Sequence, residues 1–309
     1  MIFTVTLNPA LDKEYTVPDL KMDEVLRASS IQIDYGGKGF NVSRMLTSLG
    51  AENVAIGFLG GATGKSLKDG LVDIGIQTDF VWISSETRTN VSIVSNSDKH
   101  HIKVNELGPT VLPDEITMLM EKIEGLIHPG DWWVLAGSLP PGVKADIYSQ
   151  IITMINAGGA KTILDTSGQP LTLGCQAKPF LVKPNTYEAA QLTGMPADTP
   201  EQIFEITSYI HNMGVGNIII SAGKKKSLLS DGKNHWFGAS PPIDEKNPIG
   251  AGDAMVAGLV WRLEKDDSIK NAFPWGIACG TAAASQPGTG MATRSQIEYL
   301  VKKIQIEEV

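Results

Sequence analysis

Residues 250–253 read Gly250-Ala-Gly-Asp253 and continue into the apolar stretch Ala254-Met-Val-Ala-Gly-Leu-Val-Trp261, which predicts a helix with an aspartate in its first turn. The two glycines allow close backbone approach, and the unpaired N–H groups at a helix start favour an anion such as a phosphoryl group. An aspartate beside that anion can remove a proton from an attacking hydroxyl. Alternatively, Asp253 only complements the helix dipole. The rest of the chain has to decide between these interpretations.

The composition is that of a globular protein with an acidic balance. The chain has 309 residues, enough for one large α/β domain, and carries 26 basic and 34 acidic side chains. This net charge of −8 argues against nucleic acid or a membrane surface as a partner. Cys175 and Cys279 show neither metal nor disulfide spacing, and the start lacks the features of a signal peptide. We therefore expect a cytoplasmic protein with free thiols.

Short apolar runs alternate with segments of helical period along most of the chain. This alternation predicts a parallel sheet that helices cover on both faces. The predicted strands are residues 2–7, 54–59, 132–136, 162–164, 180–182 and 218–220. Two of the predicted helices have one apolar face each, formed by Val42, Met45, Leu46 and Leu49 before Gly50, and by Leu67, Leu71 and Ile74 before Gly75.

Two strand-like regions break this rhythm, residues 12–35 and residues 91–104. In the second region, Ser95-Asn-Ser-Asp98 has the composition of a hairpin turn. No linker, low-complexity tract or internal repeat divides the chain. We therefore predict a single domain over residues 1–309, with the strands of a small separate sheet inserted from about 12–35 and 88–105.

Two glycine-rich stretches precede predicted helices. Gly60-Gly-Ala-Thr-Gly-Lys-Ser66 is similar to a phosphate-binding P-loop, but position 59 is Leu where the first glycine is needed, so we prefer an ordinary turn with an exposed Lys65. Gly36-Gly-Lys-Gly-Phe-Asn-Val42 places Lys38 and Asn41 at a helix start, which suits a small anionic ligand. Taken alone, the second stretch is also typical of a plain helix entry.

Seven short motifs follow one another along almost the whole chain. They are Thr6-Leu-Asn-Pro-Ala-Leu-Asp12, Gly36-Gly-Lys-Gly-Phe-Asn-Val42, Thr87-Arg-Thr-Asn90, Gly137-Ser-Leu-Pro-Pro-Gly142, Asp165-Thr-Ser-Gly168, Lys183-Pro-Asn-Thr-Tyr-Glu188 and Gly250-Ala-Gly-Asp253. In this order they resemble the ribokinase/phosphofructokinase-B family of carbohydrate kinases, within it the 1-phosphofructokinase and tagatose-6-phosphate kinase branch. The resemblance implies a three-layer α/β fold with a mainly parallel central sheet and a small β-sheet lid. It also implies a homodimer formed through the lid.

The resemblance further implies ATP and Mg²⁺ as cofactors and gives roles to the matching residues. Asp253 would be the general base, and the N–H groups of Gly250, Ala251 and Gly252 would bind the transferred phosphoryl group. The nucleotide would be bound by Lys183, Asn185, Ser221 and Gly223, and Mg²⁺ would be held, through water, by Asn185 and Glu188. Without the resemblance, the spacing of Asn185 and Glu188 is typical of a capping box at a helix start.

The substrate implied by the resemblance is a phosphorylated ketohexose. It would be bound by Asp12, Arg27, Gly37, Lys38, Asn41, Arg88, Asn90 and Ser138. Among these, Arg27, Lys38 and Arg88 would bind the phosphate already present on the sugar. Taken alone, Asp12 is typical of a turn residue. Each of the basic residues, taken alone, is typical of a solvated charge on the surface.

Two features depart from the family pattern, and both lie near the expected nucleotide. Lys224-Lys-Lys226 stands where a glycine is usual, and its charges either contact phosphates or are solvated. Pro248 stiffens the approach to the anion site. His100-His101 has no partner at zinc-binding spacing, so we expect a surface or lid role for this pair.

Fructose 1-phosphate, phosphorylated at O6, is the first expected substrate. Tagatose 6-phosphate, phosphorylated at O1, is the alternative, because residues 87–91 are closer to the first group of enzymes and residues 247–253 to the second. Lys38 disfavours fructose 6-phosphate. Two other classes of protein remain as alternatives. One is a sugar-phosphate sensor, which would not need Asp253, and the other is a P-loop hydrolase, which would depend on Lys65.

Overall fold

The computed structural model describes residues 1–98, 100–223, 226–286 and 290–309. The strands in these residues are β1 (Ile2–Thr6), β2 (Ala10–Val17), β3 (Ser30–Gly36), β4 (Asn53–Leu59), β5 (Gln77–Thr78), β6 (Val81–Trp82), β7 (Arg88–Ser95), β8 (His101–Val104), β9 (Trp132–Ala136), β10 (Lys161–Asp165), β11 (Leu181–Val182), β12 (Asn217–Ile220), β13 (Ser227–Ser230), β14 (His235–Ala239) and β15 (Gln305–Glu308). The helices are α1 (Lys38–Ser48), α2 (Gly61–Asp73), α3 (Pro113–Leu126), α4 (Ile147–Ala157), α5 (Gly168–Gln176), α6 (Thr186–Thr193), α7 (Pro200–Asn212), α8 (Ala251–Leu263), α9 (Ile269–Ala284) and α10 (Arg294–Val301). Each of these helices is too short or too polar to span a bilayer.

Eleven of the described strands form one large sheet. Its order is β15-β14-β13-β12-β11-β10-β9-β1-β4-β5, and β6 also pairs with β4. The pairs from β5 to β12 are parallel, whereas β12 to β15 pair in antiparallel fashion. Each of the six strands predicted from apolar runs is present in the parallel part. The carboxyl ends of β1, β10, β11 and β12 therefore lie along the same edge.

Helices cover both faces of the large sheet. On one face, α1, α8 and α9 pack a core around Phe273. On the other face, α3, α4 and α7 pack a second core around Ile151. Successive residues of β9 alternate between these cores, with Trp132 in the first and Trp133 in the second. The predicted three-layer arrangement is confirmed.

The small separate sheet is also confirmed, and it has the order β3-β2-β7-β8. Residues that are paired directly across its strands point to the same face. Asp12 is paired with Asn90, so both belong to one face. Tyr15, three residues further along β2, is paired with Ile31 and Ile93 on the opposite face. That the chain is one kinase domain with these strands as insertions stays a prediction.

The P-loop-like stretch is an ordinary turn between β4 and α2. Lys65 forms an ion pair with Asp69 on the helix surface, and its side chain is largely exposed. The Glu86 carboxylate accepts hydrogen bonds from the N–H groups of Ala62 and Thr63 at 3.3 and 2.6 Å. A protein carboxylate thus occupies the position at the helix start where a P-loop would bind phosphate.

One predicted helix face extends too far. Leu67 and Leu71 of α2 are fully buried, but Ile74 is exposed, so its assignment to the buried face was wrong. The helix ends at Asp73, and Ile74 has left helical geometry. The apolar period therefore outlasts the helix by one residue.

We expect Gly57→Ala to destabilise the fold strongly. Gly57 is paired with Thr6, has φ +155°, and an added Cβ would lie 1.9 Å from the Thr6 carbonyl oxygen. The β1–β4 contact would have to open, at a loss on the order of 2 to 3 kcal/mol in the free energy of unfolding. Urea denaturation measures this loss.

The control for this substitution is Gly50→Ala, since Gly50 has φ +77° and open space around it. Backbone strain alone should lower its free energy of unfolding by about 1 kcal/mol. Equal losses in the two variants would show that the close approach of β1 and β4 contributes nothing.

Candidate active site

The start of α8 lies at the carboxyl edge of the large sheet and has the geometry of an anion site. Gly250 is the N-cap residue, with φ +80°, a conformation that favours glycine. The Ala251 N–H donates to the Pro248 carbonyl at 3.2 Å, and the first bond within the helix joins Ala254 N–H to Gly250 O at 2.9 Å. The helix offers no acceptor to the N–H groups of Gly252 and Asp253. The N–H groups of Gly252 and Asp253 are therefore available to a ligand. The N–H group of Ala251 is not, because it donates to the Pro248 carbonyl.

Asp253 is buried within the first turn of α8, with 6% of its surface exposed. Its Oδ2 accepts a hydrogen bond from Asn41 Nδ2 of α1 at 2.8 Å. Burial, and next the charge of Asp165, raise the pKa of Asp253 to about 6, although Lys38, Asn41 and Lys183 act against the shift. The carboxylate is therefore more basic than an ordinary aspartate and still mainly ionised at neutral pH.

Asp165, at the end of β10, lies between two lysines. Lys38 Nζ is 3.0 Å from Asp165 Oδ1, and Lys183 Nζ is 3.3 Å from Oδ2. Burial alone would raise the pKa of Asp165, but Lys183 and Lys38 hold it below its usual value. Burial disfavours the charged form of Lys38 and lowers its pKa. The charges of Asp165 and then Asp253 outweigh this effect, so the pKa of Lys38 lies above its usual value. Asp165 therefore stays ionised and is the shared counter-ion of both lysines.

A cavity of about 920 Å³ opens beside these groups. Its polar end is lined by Gly37, Lys38, Asn41, Lys183, Asn185, Glu188 and residues 250–253. Its other walls are mainly apolar and include Pro241, Pro242, Ile243, Ile249, Ile277 and Ala284, with Ser221 and Gly223 at the rim. The volume is that of a site for a nucleotide-sized ligand.

Asn185 and Glu188 form the capping box that the sequence predicts. Asn185 Oδ1 accepts from the Glu188 N–H at 2.8 Å, and Glu188 Oε2 accepts from the Asn185 N–H at 2.9 Å. Ser221 joins this region because its N–H donates to the Pro184 carbonyl at 3.0 Å. The cap places one amide and one carboxylate on the cavity wall. Within the described ranges, no group of three His, Cys, Asp or Glu side chains could hold a metal by itself.

A second group of predicted residues lies on the small sheet. Asp12 is half-buried, and its Oδ1 accepts a hydrogen bond from Asn90 Nδ2 at 2.7 Å. Burial raises the pKa of Asp12 despite this bond and the charges of Lys103 and Arg88. Arg88 donates to the backbone carbonyls of three residues, Asn8, Pro9 and Glu106. Its guanidinium therefore also holds the loops around Asp12 in place.

Two predicted residues lie further from this geometry. Ser138 is exposed, and its Oγ accepts a hydrogen bond from Asn8 Nδ2 at 3.4 Å. Arg27 is exposed in the segment between β2 and β3 and is not part of the cavity wall. Gly37, by contrast, lines the cavity directly beside Lys38.

The lysines of residues 224–226 and the histidine pair, whose roles the sequence left open, lie at the surface or outside the described residues. Lys224 and Lys225 lie outside the described residues. Lys226 forms a 2.6 Å ion pair with Glu307 of β15 on the surface. His100 pairs with the carboxylate of Asp98 at an exposed position of the β7–β8 connection.

Three residues of this region are not among the predicted site residues. Asp165 was one position in a motif, and nothing in the sequence shows that two lysines meet it. Asn8 is buried, and its Nδ2 donates to Leu107 O at 3.0 Å as well as to the Ser138 hydroxyl. Arg44 of α1 is largely buried, near the charges of Asp34 and Asp12. A helical wheel could have found Arg44, because it follows Asn41 by three positions.

Comparison with known proteins gives consistent results. The sequence profile of the pfkB family carbohydrate kinases matches residues 7–295. A 1-phosphofructokinase from Borreliella burgdorferi is 33% identical over 310 residues, covering 100% of this chain and 99% of the relative. A tagatose-6-phosphate kinase from Staphylococcus epidermidis is 32% identical over 100% of both chains. The structure of phosphofructokinase-2 from Escherichia coli in complex with potassium has a TM-score of 0.93 at 29% identity, covering 98% of both chains.

The raised pKa of Asp253 predicts that Asp253→Asn stabilises the protein in a pH-dependent manner. Ionised Asp253 is disfavoured in the folded state, so it lowers stability above its folded pKa of about 6 and has no such effect below the unfolded value of 3.8. The variant should gain on the order of 2 to 3 kcal/mol at pH 8 and nothing near pH 4. Thermal unfolding at both pH values measures this difference.

The matched control is Asp73→Asn, which removes an exposed carboxylate at the end of α2. It should give no comparable gain at pH 8. If Asp253→Asn were less stable than the native protein at pH 8, the buried carboxylate would be better stabilised by its neighbours than we infer.

Proposed function

The chain belongs to the pfkB family of carbohydrate kinases, and from this premise we propose that it phosphorylates fructose 1-phosphate at O6, giving fructose 1,6-bisphosphate. Membership of a sugar kinase family implies ATP as the co-substrate. The observation that carries the proposal is the placement of buried Asp253 beside free N–H groups at the polar end of the cavity. A base and an anion site on the same helical turn suit phosphoryl transfer.

Asp253 acts as the general base in this proposal. The O6 oxygen of the sugar attacks the γ-phosphorus of ATP while its proton passes to the Asp253 carboxylate. The bond from the γ-phosphorus to the β–γ bridging oxygen breaks, and ADP leaves with that electron pair. The N–H groups of Gly250, Ala251 and Gly252 were predicted to bind the moving phosphoryl group. Because the Ala251 N–H donates to Pro248, we assign that role mainly to Gly252, together with Asp253 N–H.

The nucleotide occupies the 920 Å³ cavity in this proposal, with its base against the apolar wall and its phosphates at the polar end. Lys183, Asn185, Ser221 and Gly223 would bind it, as the sequence predicted. Oxygen donors of Asn185 and Glu188 suit Mg²⁺, which commonly keeps several waters and takes its other ligands from phosphates. When bound, Mg²⁺ neutralises charge on the phosphates.

The sugar lies between Asp253 and the face of the small sheet that carries Asp12 and Asn90. These two side chains would bind sugar hydroxyls. Lys103 is on the same face, since it is paired with Ser92, two residues beyond Asn90. With Arg88 and the predicted Arg27, Lys103 supplies positive charge for the phosphate already on the sugar. Ser138 would add a hydroxyl near Asn8.

Tagatose 6-phosphate, phosphorylated at O1, is the alternative substrate. The relatives with the two substrate names are 33% and 32% identical to this chain, so overall similarity does not separate them. Both reactions use the same base, anion site and cavity. Fructose 6-phosphate is the third candidate substrate. A non-enzymatic sensor is the last alternative, because a sensor would gain nothing from a buried base.

We also propose a homodimer that forms through the small sheet. On the face opposite Asp12, Ile31 and Ile33 of β3 are 60% and 50% exposed, and Val104 of β8 is 59% exposed. Register places all three on one face, around the partly buried Tyr15. A group of exposed apolar side chains of this kind marks an interaction site, and a second copy can cover it by two-fold symmetry.

The first test of the function is turnover with MgATP and three sugars, measured by ADP release. We expect the largest kcat/KM with fructose 1-phosphate, with tagatose 6-phosphate next and fructose 6-phosphate last. Asp253→Asn should lower kcat by about 10²- to 10⁴-fold while leaving sugar binding intact, because only the base is lost. Calorimetric titration with the sugar phosphate measures that binding.

Lys65→Ala is the matched control, since Lys65 is a surface residue of α2, and its turnover should be unchanged. Near-normal turnover of Asp253→Asn would contradict its role as base. A higher kcat/KM with tagatose 6-phosphate would select the alternative reaction.

The proposed dimer predicts that Ile33→Glu gives a monomer. The substitution places a carboxylate on the exposed apolar face, at its edge strand β3, where a second copy would have to bury it. Sedimentation velocity at micromolar concentration should show the native chain as a dimer and the variant at half its mass. Met118→Glu changes an equally exposed apolar residue on α3 and should stay dimeric. A native monomer, or equal masses for native chain and Ile33→Glu, would reject this interface.

A further inference from the structure

The Asp165 carboxylate is buried, at 1% exposure, and its two oxygens face different lysines. Lys38 begins α1, Asp165 ends β10, and Lys183 follows β11, so three separate elements meet at this point. Lys183 is itself buried, whereas the Lys38 side chain is partly exposed towards the cavity. One carboxylate thus fixes the positions of two ammonium groups.

We propose that Asp165 is a positioning residue that holds Lys38 and Lys183 as a pair of cations at the point of phosphoryl transfer. Lys38 then neutralises charge on the transferred γ-phosphoryl group of ATP. This assignment replaces the role expected from the sequence, in which Lys38 binds the phosphate already on the sugar. The inference rests on the proposed kinase function, because it concerns the same reaction.

Lys183 lies directly beside the start of α8. A Cβ added to Gly252 would lie 3.3 Å from Lys183 Nζ, so the ammonium is adjacent to the N–H donors of the α8 turn. Lys38 shares Asp165 with Lys183, and both lysines line the cavity together with Gly252 and Asp253. Both cations are therefore beside the predicted anion site.

The charged side chains around Lys38 are those of the catalytic and nucleotide sides of the cavity. Among the charged side chains, Asp165 and Asp253 raise the pKa of Lys38 most. Glu188, on the nucleotide side of the cavity, raises it as well. Asp12 and Arg88 of the sugar-facing sheet are not part of the cavity wall that includes Lys38. A lysine in this position neutralises charge that develops on the transferred group, whereas the substrate's own phosphate is placed on the small sheet.

The two lysines need a carboxylate between them. Lysine side chains are flexible, and a buried lysine without a counter-charge loses its proton or leaves its position. Asp165 contacts both ammonium groups and holds them in place before ATP binds, so no rearrangement is needed during the reaction. Its charge also makes Asp253 more basic, since it is the second cause of the raised pKa of that residue.

The test compares Asp165→Asn with Asp131→Asn. Asp131 is also a buried carboxylate in an ion pair, with the Met1 amino group at 3.2 Å, but it precedes β9 at the opposite edge of the sheet. Asp165→Asn should lower kcat by on the order of 10²-fold with little change in the KM for the sugar. It should also shift the acidic limb of the kcat/KM profile to lower pH, because Asp253 loses a negative neighbour. Asp131→Asn should do neither, and equal behaviour of the two variants would overturn the proposal.

Lys38→Met separates the two roles of that lysine. A lower kcat at unchanged sugar KM supports action on the transferred group, whereas a raised KM at unchanged kcat would return Lys38 to the sugar phosphate. Because Asp165 acts through Lys38 and Lys183, Asp165→Asn with Lys38→Met should lose less than the product of the single effects. Multiplicative losses would contradict the shared role.

A binding experiment keeps the inference testable if no sugar is turned over or if Asp165→Asn does not fold. Calorimetry with the magnesium complexes of ADP and a non-hydrolysable ATP analogue isolates the γ-phosphate. Lys38→Met should lose about tenfold in affinity for the ATP analogue, with little change for ADP. Absence of turnover with retention of this difference would reject the proposed sugar but keep the cation pair. Equal losses for both nucleotides would reject the cation pair.

Discussion

Two buried carboxylates, the buried Lys183 and the partly exposed Lys38 meet at the carboxyl edge of the large sheet, and compensation of their charges governs the site. Buried charges are tolerated only when opposite charges or hydrogen bonds replace water. Asp165 receives two ammonium groups directly, so its pKa falls. Asp253 accepts a hydrogen bond from the neutral amide of Asn41, but burial and then the charge of Asp165 raise its pKa. The same environment thus separates two aspartates into a permanent counter-ion and a base.

The topology of the sheet is what brings these groups together. Lys38 starts the helix that follows β3, while Asp165 and Lys183 lie at the ends of neighbouring parallel strands, β10 and β11. The carboxyl ends of parallel strands meet at one edge, where helix starts supply N–H donors. The two apolar cores fix the strands from both faces, so the polar edge is held by packing that takes no part in the chemistry. Fold and site therefore depend on the same alternation of apolar residues.

Much of this arrangement could be predicted from the sequence, because it depends on local patterns. Apolar runs gave the parallel strands, and the glycines before Asp253 gave the helix start. The Lys38–Asp165 pair could not be predicted in this way, since the two residues are 127 positions apart and a long side chain can point in several directions. Arg88 is a similar case, because the carbonyls that its guanidinium contacts belong to loops without a regular pattern. At Ile74, the apolar period continued where the backbone had already left the helix.

The small sheet combines two requirements in one strand register. Side chains alternate between its faces, so Asp12 and Asn90 point to the face that we propose binds the sugar, while Tyr15 and Ile33 point to the other. A shift by one residue would exchange these sets, placing the carboxylate on the apolar face. Gly36 helps to hold the register, because any side chain at this position would collide with the Asp12 carboxylate. The polar face that we propose binds the sugar and the apolar face that we propose forms the dimer therefore depend on the same register.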